Sequence, residues 1–370
     1  MDIKLIRKTK KLGKLFCEIL FPPSLRLKML GIASHSTLLS SFVATYSGWL
    51  GREAKSILRG QLTHHAQRTG TQASNTVDGA VYTLRRSVHR LEKGLIMRPR
   101  KPVFALDYIQ LTVDVYQTVL TSNRQNTYCD LLQWAVDVLS AYFSVVDPDP
   151  VIDKARLQFD SLTHNRSTQD SKRVPYRRDT EPLKITIEDL KELAIRRRSC
   201  RWFLQKPVPR EMIDKAIEVA GYAPSACNRQ PFEFRVYDNS SLPMLASVPM
   251  GTRGFADNFP CIVVIVGTHA AFPFPRDRHL PYIDSCLAAM GFQFALEVQG
   301  LSSCCINWPD IPDKEAALRE RIELEDYEFA IMFMAIGYPD PEGMVPYSQK
   351  KPLDSMRSYN KGLKLSLIHI

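Results

Sequence analysis

Apolar residues recur every three to four positions between residues 104 and 146, the spacing of one face of an amphipathic helix. The polar stretch at residues 121–126 interrupts this pattern, so we predict two helices separated by a short connection. Asp147-Pro-Asp-Pro then ends the helical pattern. The first half of the chain is therefore predicted to be mainly helical.

The second half mixes helical and strand patterns. Thr186-Ile-Glu-Asp has the form of a capping box before a helix that runs to Ile195, and another helix is predicted from Pro209 through Ala220. A third helix is predicted over residues 283–298, ending at Gly300. Apolar or alternating runs predict strands at residues 232–237, 261–266 and 329–336. We expect an α+β domain.

Composition divides the chain between these two patterns. Residues 161–181 are polar and nearly free of large aliphatic side chains, which is typical of a linker. We predict a helical, basic N-terminal region at 1–160, a linker at 161–182, a folded domain at 183–356 and a tail at 357–370.

Charge is also unevenly distributed. Residues 1–180 hold 27 Lys and Arg against 15 Asp and Glu, whereas the remainder holds 22 against 24. The basic half predicts contact with a membrane surface or an anionic glycan, or simply a solvated basic face. Nucleic acid is disfavoured because few aromatic residues lie near its arginines. The first ~30 residues combine basic and apolar side chains, which favours peripheral contact with the inner face of a membrane.

The eight cysteines include no Cys-x-x-Cys pair, so zinc-ribbon and thioredoxin-like sites lack their spacing and no metal is expected. Several cysteines lie in apolar runs, which indicates reduced, buried thiols and a cytoplasmic protein. Residues 1–20 lack the continuous apolar core of a signal peptide. The stretch at 30–50 is too interrupted to span a bilayer.

Two segments carry candidate chemistry. Residues 196–203 contain four arginines and Ser199. A guanidinium group can donate two hydrogen bonds to the oxygens of one phosphate, so this segment could bind a phosphate group. Alternatively, cations at the C-terminal end of a helix interact favourably with its dipole. Residues 223–232 read Ala-Pro-Ser-Ala-Cys-Asn-Arg-Gln-Pro-Phe. Their neutral donors and acceptors could bind a heterocycle, or form an ordinary polar turn.

In this order the two segments resemble the nitroreductase superfamily of flavin enzymes. The match is Arg-Arg-Ser-x-Arg-x-Phe, Pro-Val-Pro, a helix, and Ala-Pro-Ser-x-x-Asn-x-Gln-Pro-Phe, and it covers about residues 185–355. The resemblance implies a central, mostly antiparallel sheet flanked by helices. It also implies FMN between the subunits of a homodimer and ping-pong transfer of hydride from NADH or NADPH to a small-molecule acceptor.

The resemblance also assigns residues to the cofactor, with no catalytic acid, base or nucleophile among them. Those expected at the FMN phosphate and ribityl chain are Arg197, Arg198, Ser199 and Arg201, with Lys350 and Lys351 completing the cationic clamp. Those expected at the isoalloxazine are Pro224, Ser225, Asn228, Gln230 and, by a backbone amide, Asn307. Trp308 is a candidate wall of the substrate pocket or a structural tryptophan.

Residues 89–95 read His-Arg-Leu-Glu-Lys-Gly-Leu and are similar to a segment of nitroreductase-like proteins encoded among bacterial polysaccharide genes. His89 becomes a candidate proton donor to substrate only if the N-terminal region folds over the flavin. Two alternatives stay open beside the oxidoreductase. One is a flavin enzyme that tailors a saccharide or a peptide-derived metabolite, and the other is a flavin-free scaffold protein in polysaccharide biosynthesis.

Overall fold

A computed structural model describes residues 49–69, 77–163, 173–238 and 242–361 of the chain. The predicted membrane contact of the first ~30 residues and the apolar stretch at 30–50, apart from its last two positions, lie outside these residues. So do most of the predicted tail and the part of the predicted linker at 164–172.

The N-terminal region is helical, as predicted. Its helices are α1 (Trp49–Thr69), α2 (Val77–Leu95), α3 (Ile109–Leu120), α4 (Cys129–Phe143) and α5 (Pro150–Thr163). The two helices expected between 104 and 146 are confirmed as α3 and α4. Helices α2 to α5 share an apolar core of their own, in which Tyr116 and Tyr142 are fully buried.

The C-terminal half is an α+β domain. Its helices are α6 (Ile187–Arg196), α7 (Arg210–Gly221), α8 (Leu242–Leu245), α9 (Leu280–Val298), α10 (Pro312–Arg319) and α11 (Leu353–Met356). Its strands are β1 (Phe232–Asp238), β2 (Cys261–Thr268), β3 (Ser302–Asn307) and β4 (Glu328–Gly337).

These four strands form one antiparallel sheet in the order β1-β2-β4-β3. Strand β2 is buried along its whole length, which explains its continuous β-branched sequence. Its alternate residues serve two cores: Val263 and Ile265 pack towards α7 and α9, whereas Ile262 and Val264 pack towards α8 and α10. Because β1 and β3 are the two outer strands, they lie about 14 Å apart across the sheet.

Local sequence signals explain where the helices begin and end. The Thr186 side chain accepts a hydrogen bond from Asp189 N while the Asp189 carboxylate accepts one from Thr186 N, so the predicted capping box is confirmed. Gly300 has a φ of +77° and forms the turn between α9 and β3, as predicted. Helix α9 begins at Leu280, one turn before the expected start, because Pro281 is tolerated in the first turn of a helix.

The N-terminal helices pack directly on the C-terminal domain. Gly60 of α1 allows a close approach, since a Cβ at this position would lie 2.6 Å from the backbone carbonyl of His269. Beside it, Ser56 Oγ lies 2.9 Å from His269 Nδ1. Farther along the interface, Tyr327 Oη donates to Asp78 Oδ2 over 2.9 Å. The interface therefore depends on backbone proximity and buried polar pairs.

Candidate functional site

The arginine-rich segment lies against the outer strand β3. Helix α6 ends at Arg196, and Arg197 leaves the helical conformation with a ψ of 111°. The chain then runs parallel to β3, with Ser199 opposite Ser303 and Cys200 N donating to Ser303 O over 3.1 Å. The buried side chain of Cys200 anchors the segment in the core. The arginines are thus held on a nearly extended backbone beside the sheet.

Arg197 has the property expected of an anion ligand. Its Nε is buried and has no hydrogen-bond partner among the described residues. Arg197 faces the neighbouring thiol of Cys305: burial raises the pKa of Cys305 to about 11, and the charge of Arg197 opposes this shift. A buried guanidinium nitrogen without a partner is costly, and a bound oxyanion would supply the missing acceptor.

The two other arginines of the motif have protein contacts. Arg198 Nη2 donates to the carbonyl oxygens of Pro346 and Tyr347, which places this C-terminal segment beside the motif. Arg201 Nη1 donates to Ser199 O over 3.4 Å, and its guanidinium carbon lies 5.8 Å from the centre of the Phe255 ring. Lys350 and Lys351 follow a few residues after Tyr347, and both are exposed.

The loop at residues 223–231 has an unusual backbone. Cys227, Asn228 and Gln230 all have φ values between +52° and +53°, in the left-handed region. Ser225 Oγ accepts a hydrogen bond from Gln230 N over 3.1 Å, and Gln230 Nε2 donates to Gly221 O over 3.3 Å. Pro224 is exposed at the start of the loop. Strained positions of this kind occur where surrounding structure fixes a functional conformation.

Asp284 of α9 fixes this loop and was not predicted from the sequence. Its side chain is 3% exposed, and Oδ2 accepts a hydrogen bond from Ala226 N over 3.0 Å. Burial raises the pKa of Asp284, whereas the amide of Ala226 and the nearby charge of Arg229 oppose the shift.

The motif and the loop lie at opposite ends of α9. The loop is bonded to Asp284 near the start of this helix, and Arg196 Nε lies 3.3 Å from Glu297 Oε1 near its end. Thirteen residues of helix separate the two acidic residues, which corresponds to about 20 Å. One protomer therefore does not bring Arg197 and Asn228 together around a single small ligand.

Asn307 and Trp308 end strand β3. Asn307 is exposed and pairs with Met332 in the sheet register. Trp308 stacks on Phe333 with 5.0 Å between ring centres, and its Nε1 donates to Glu315 over 3.3 Å. The indole also borders a cavity of about 330 Å³ between α1 and the domain. Trp308 is thus both a core residue and a cavity wall.

His89 lies within the N-terminal helical region. Its Nδ1 is 3.2 Å from Glu92 Oε2, and Glu92 Oε1 accepts a hydrogen bond from Trp134 Nε1 over 2.9 Å. Helix α2 does reach the loop of the C-terminal domain, but through Arg86, whose charge lies near Cys227. The structure therefore places Arg86 rather than His89 at this contact.

Residues 194–245 and 244–338 match the sequence model of the Nitroreductase family. The C-terminal half of the chain belongs to the nitroreductase family. Its α+β fold with an antiparallel sheet is the predicted one, and the chain contains a nitroreductase-family oxidoreductase domain. Members of the family are typically FMN-dependent NAD(P)H oxidoreductases, and proteins with this fold typically form homodimers.

Curated relatives match the nitroreductase-family domain at low identity. Iodotyrosine deiodinase 1 of Sus scrofa is 24% identical over 236 residues, covering 55% of this chain and 81% of the relative. A putative NADH dehydrogenase/NAD(P)H nitroreductase of Archaeoglobus fulgidus is 24% identical over 157 residues, covering 42% of this chain and 88% of the relative.

Solved structures also match. An FMN-dependent nitroreductase from Clostridium difficile R20291 is 25% identical and covers 47% of this chain and 98% of that chain, with a TM-score of 0.36. A putative NADH dehydrogenase/NAD(P)H nitroreductase from Parabacteroides distasonis is 23% identical and covers 46% of this chain and 96% of that chain, with a TM-score of 0.41.

Within the described part of the chain, no three His, Cys, Asp or Glu side chains lie close enough together to hold a metal ion. None of its helices is long and apolar enough to cross a bilayer.

Proposed function

We propose that this protein is an FMN-dependent oxidoreductase that transfers hydride from NADH or NADPH to a small-molecule acceptor by a ping-pong mechanism. The observation that carries the proposal is the buried, unpartnered Nε of Arg197 within the Arg-Arg-Ser-x-Arg motif. A phosphate monoester there would accept charge-assisted hydrogen bonds from the guanidinium group.

Residues of both ends of the domain are assigned to FMN in this proposal. Those at the phosphate and ribityl chain are Arg197, Arg198, Ser199 and Arg201, joined by Lys350 and Lys351. Those at the isoalloxazine are Pro224, Ser225, Asn228, Gln230 and Asn307. The bonds from Arg198 to Pro346 and Tyr347 support the place of the lysine segment, because they hold its start beside the arginines.

The 20 Å separation along α9 supports a homodimer, in which the motif of one protomer and the loop of its partner form one site. Helix α9 is mainly apolar, and its side chains Ile283, Leu287 and Met290 are 51%, 45% and 37% exposed. A helix of this composition is normally buried on every face. A second copy of α9 would cover this stripe and bring the two half-sites together.

FMN, when bound, supplies the hydride chemistry and stores the electron pair. The residues of this chain bind, orient and shield it. Arg197 and Arg201 would hold the phosphate, and the fixed loop that begins at Pro224 would present neutral donors to the ring.

Trp308 remains a proposed wall of the substrate pocket because it borders a cavity. His89 stays a predicted substrate contact, with its ring beside Glu92 and its side chain 32% exposed. The relatives described above do not support the association with polysaccharide genes, which stays a prediction from the sequence.

Flavin content tests the proposal directly. The purified protein is expected to absorb near ~450 nm and to bleach when NADH or NADPH is added. Arg197→Ala combined with Arg201→Ala removes two charge-assisted contacts worth about 1.5–3 kcal/mol each, so FMN affinity should fall about a hundredfold to ten-thousandfold. The control is Arg196→Ala, which removes an exposed neighbouring arginine paired with Glu297.

The control should retain the flavin, and the double variant should elute colourless while keeping its circular dichroism. A wild-type protein that fails to take up added FMN would refute the proposal. Full flavin occupancy in the double variant would show that the phosphate lies elsewhere.

A further inference from the structure

A second cavity lies where helix α2 meets the loop before β1. Its volume is about 260 Å³, just below the range of about 300–1,000 Å³ typical of pockets that hold drug-sized ligands. The polar residues that line it are Asp78, Tyr82, Arg85, Tyr128, Arg229 and Gln230. Both the N-terminal helical region and the nitroreductase-family domain thus contribute arginines to its wall.

Arg229 enters this cavity from the loop. Its side chain is 5% exposed, and its Nε is buried without a hydrogen-bond partner among the described residues. Its Nη1 donates only a long bond of 3.4 Å to Ala226 O, and its guanidinium carbon lies 4.8 Å from the centre of the Phe272 ring. Burial lowers the pKa of Arg229, and the nearby charges of Asp277 and Asp284 only partly offset this shift.

Arg85 lines the cavity from helix α2. Burial lowers the pKa of this arginine too, and the groups whose charge opposes the shift are the phenols of Tyr82 and Tyr128. No carboxylate in the described ranges forms an ion pair with Arg85. Asp78, the one acidic residue in the lining of this cavity, already accepts hydrogen bonds from Arg124 Nη1 over 2.8 Å and from Tyr327 Oη over 2.9 Å.

Two guanidinium groups that form no ion pair among the described residues, the buried one of Arg229 and the half-buried one of Arg85, border this one cavity. Burying a charge is costly unless it is paired, and two like charges on one cavity add to this cost. Burial also raises the pKa of both Tyr82 and Tyr128, so their hydroxyl groups stay protonated. The hydroxyl of Tyr128 already bonds to Asp78, which leaves Tyr82 as the neutral hydrogen-bond donor to the cavity. Guanidinium groups, which can donate two hydrogen bonds to one anion, together with a neutral hydroxyl donor suit the oxygens of a planar carboxylate or a tetrahedral phosphate.

We propose that this cavity binds a small oxyanion, a phosphate or a carboxylate group, between Arg85 and Arg229. The anion would join α2 to the loop and thereby fix the N-terminal region on the domain. The arginines around this cavity, Arg85 and Arg229, are different from those assigned to the flavin phosphate, and Gln230 is the one residue of its lining that is also assigned to FMN. The inference therefore stands whether or not the chain holds FMN.

The test is isothermal titration of the full-length protein, as purified, with inorganic phosphate and separately with acetate, in a low-salt buffer without other oxyanions. We expect saturable binding of at least one of them at one site per chain. Tighter phosphate binding would identify a phosphate group as the ligand class, and tighter acetate binding a carboxylate. Arg85→Gln and Arg229→Gln should each weaken binding by about 10- to 100-fold, the loss of one charge-assisted contact.

Arg90→Gln is the matched control, since Arg90 lies on the same helix but pairs with Asp107 outside the cavity. It should bind the anion as the wild type does. Tyr82→Phe keeps the charges of Arg85 and Arg229 and the packing of the ring, so this variant is expected to fold even where Arg229→Gln does not. Its anion binding should be weakened several-fold, because one hydrogen-bond donor is lost. Absorbance of flavin, measured on each variant, shows that any loss of anion binding is separate from loss of FMN.

Absence of saturable binding of either anion by the wild type would overturn the proposal. So would equal binding by the wild type, Arg85→Gln and Tyr82→Phe. Binding that is lost in Arg197→Ala but kept in Arg85→Gln would instead place the anion at the motif end of α9.

Discussion

His269 makes the stability of the interface between α1 and the domain sensitive to pH. Its side chain is 3% exposed, and the ring stacks on Phe329 with 4.5 Å between centres. Nε2 lies 3.4 Å from Arg278 O and Nδ1 lies 2.9 Å from Ser56 Oγ, an arrangement that suits the neutral ring. Burial lowers the pKa of His269 from 6.5 to about 4.

The pKa of His269 differs between the unfolded and the folded chain, and this difference sets the sign and size of the change in stability with pH. Between pH 6.5 and about 4 the unfolded chain binds a proton that the folded chain rejects, so stability falls as the pH falls through this window. The full difference corresponds to about 3 kcal/mol, since one pKa unit is worth about 1.4 kcal/mol. About 2 kcal/mol of it is lost between about pH 7.5 and about pH 5.

Urea unfolding of the wild type and of His269→Asn at these two pH values measures the effect. Other titrating groups change in both proteins, so their contributions cancel in the difference between the two. We expect the stability advantage of the wild type to shrink by about 2 kcal/mol at the lower pH. Ser56→Ala retains the histidine and should retain most of the pH dependence, at a roughly constant cost of about 1 kcal/mol. Parallel pH profiles for the wild type and His269→Asn would refute the reasoning.

Three further predictions concern the dimer, the interface and a helix cap. Leu287→Arg should raise the dissociation constant of the proposed homodimer at least about 30-fold, because the residue occurs twice across a twofold interface, and sedimentation equilibrium would measure this. Gly60→Ala should destabilise the protein by about 1–3 kcal/mol in thermal unfolding, because the added Cβ meets the backbone of His269. Thr186→Ala should cost about 1 kcal/mol in urea unfolding by removing the N-cap of α6, with Lys191→Ala on the same helix as the control.

Much of the fold could be predicted from local patterns. The capping box at Thr186, the helices α3 and α4 and the strands β1, β2 and β4 each have a signal within a few residues of sequence. Helix α1 had no such signal, because its contact with the domain depends on Gly60 and on polar pairs such as Ser56 with His269. Neither feature produces a periodic apolar pattern.

The candidate site was predictable as two motifs but not as a geometry. Their residues identified the arginine segment and the loop at 223–231, and the family resemblance implied that both bind FMN. Their separation along α9 could not be obtained from the sequence, because it depends on which helix each segment packs against. The burial of Asp284 and Arg229 could not be predicted either, because charged residues normally lie at the surface and their burial depends on tertiary packing.

The sequence by itself determined several of the helices, the strands β1, β2 and β4, and the types of chemical group available in each motif, because these depend on periodicity and short-range hydrogen bonds. Only the tertiary structure decided which charges are buried. Among the described residues it left the Nε atoms of Arg197 and Arg229 without a hydrogen-bond partner at opposite ends of one helix. It also placed Arg85 beside Arg229 and favoured the neutral form of His269 by enclosing it. Burial depends on residues far apart in the chain, so the free energy of each charge is fixed only when those residues come together.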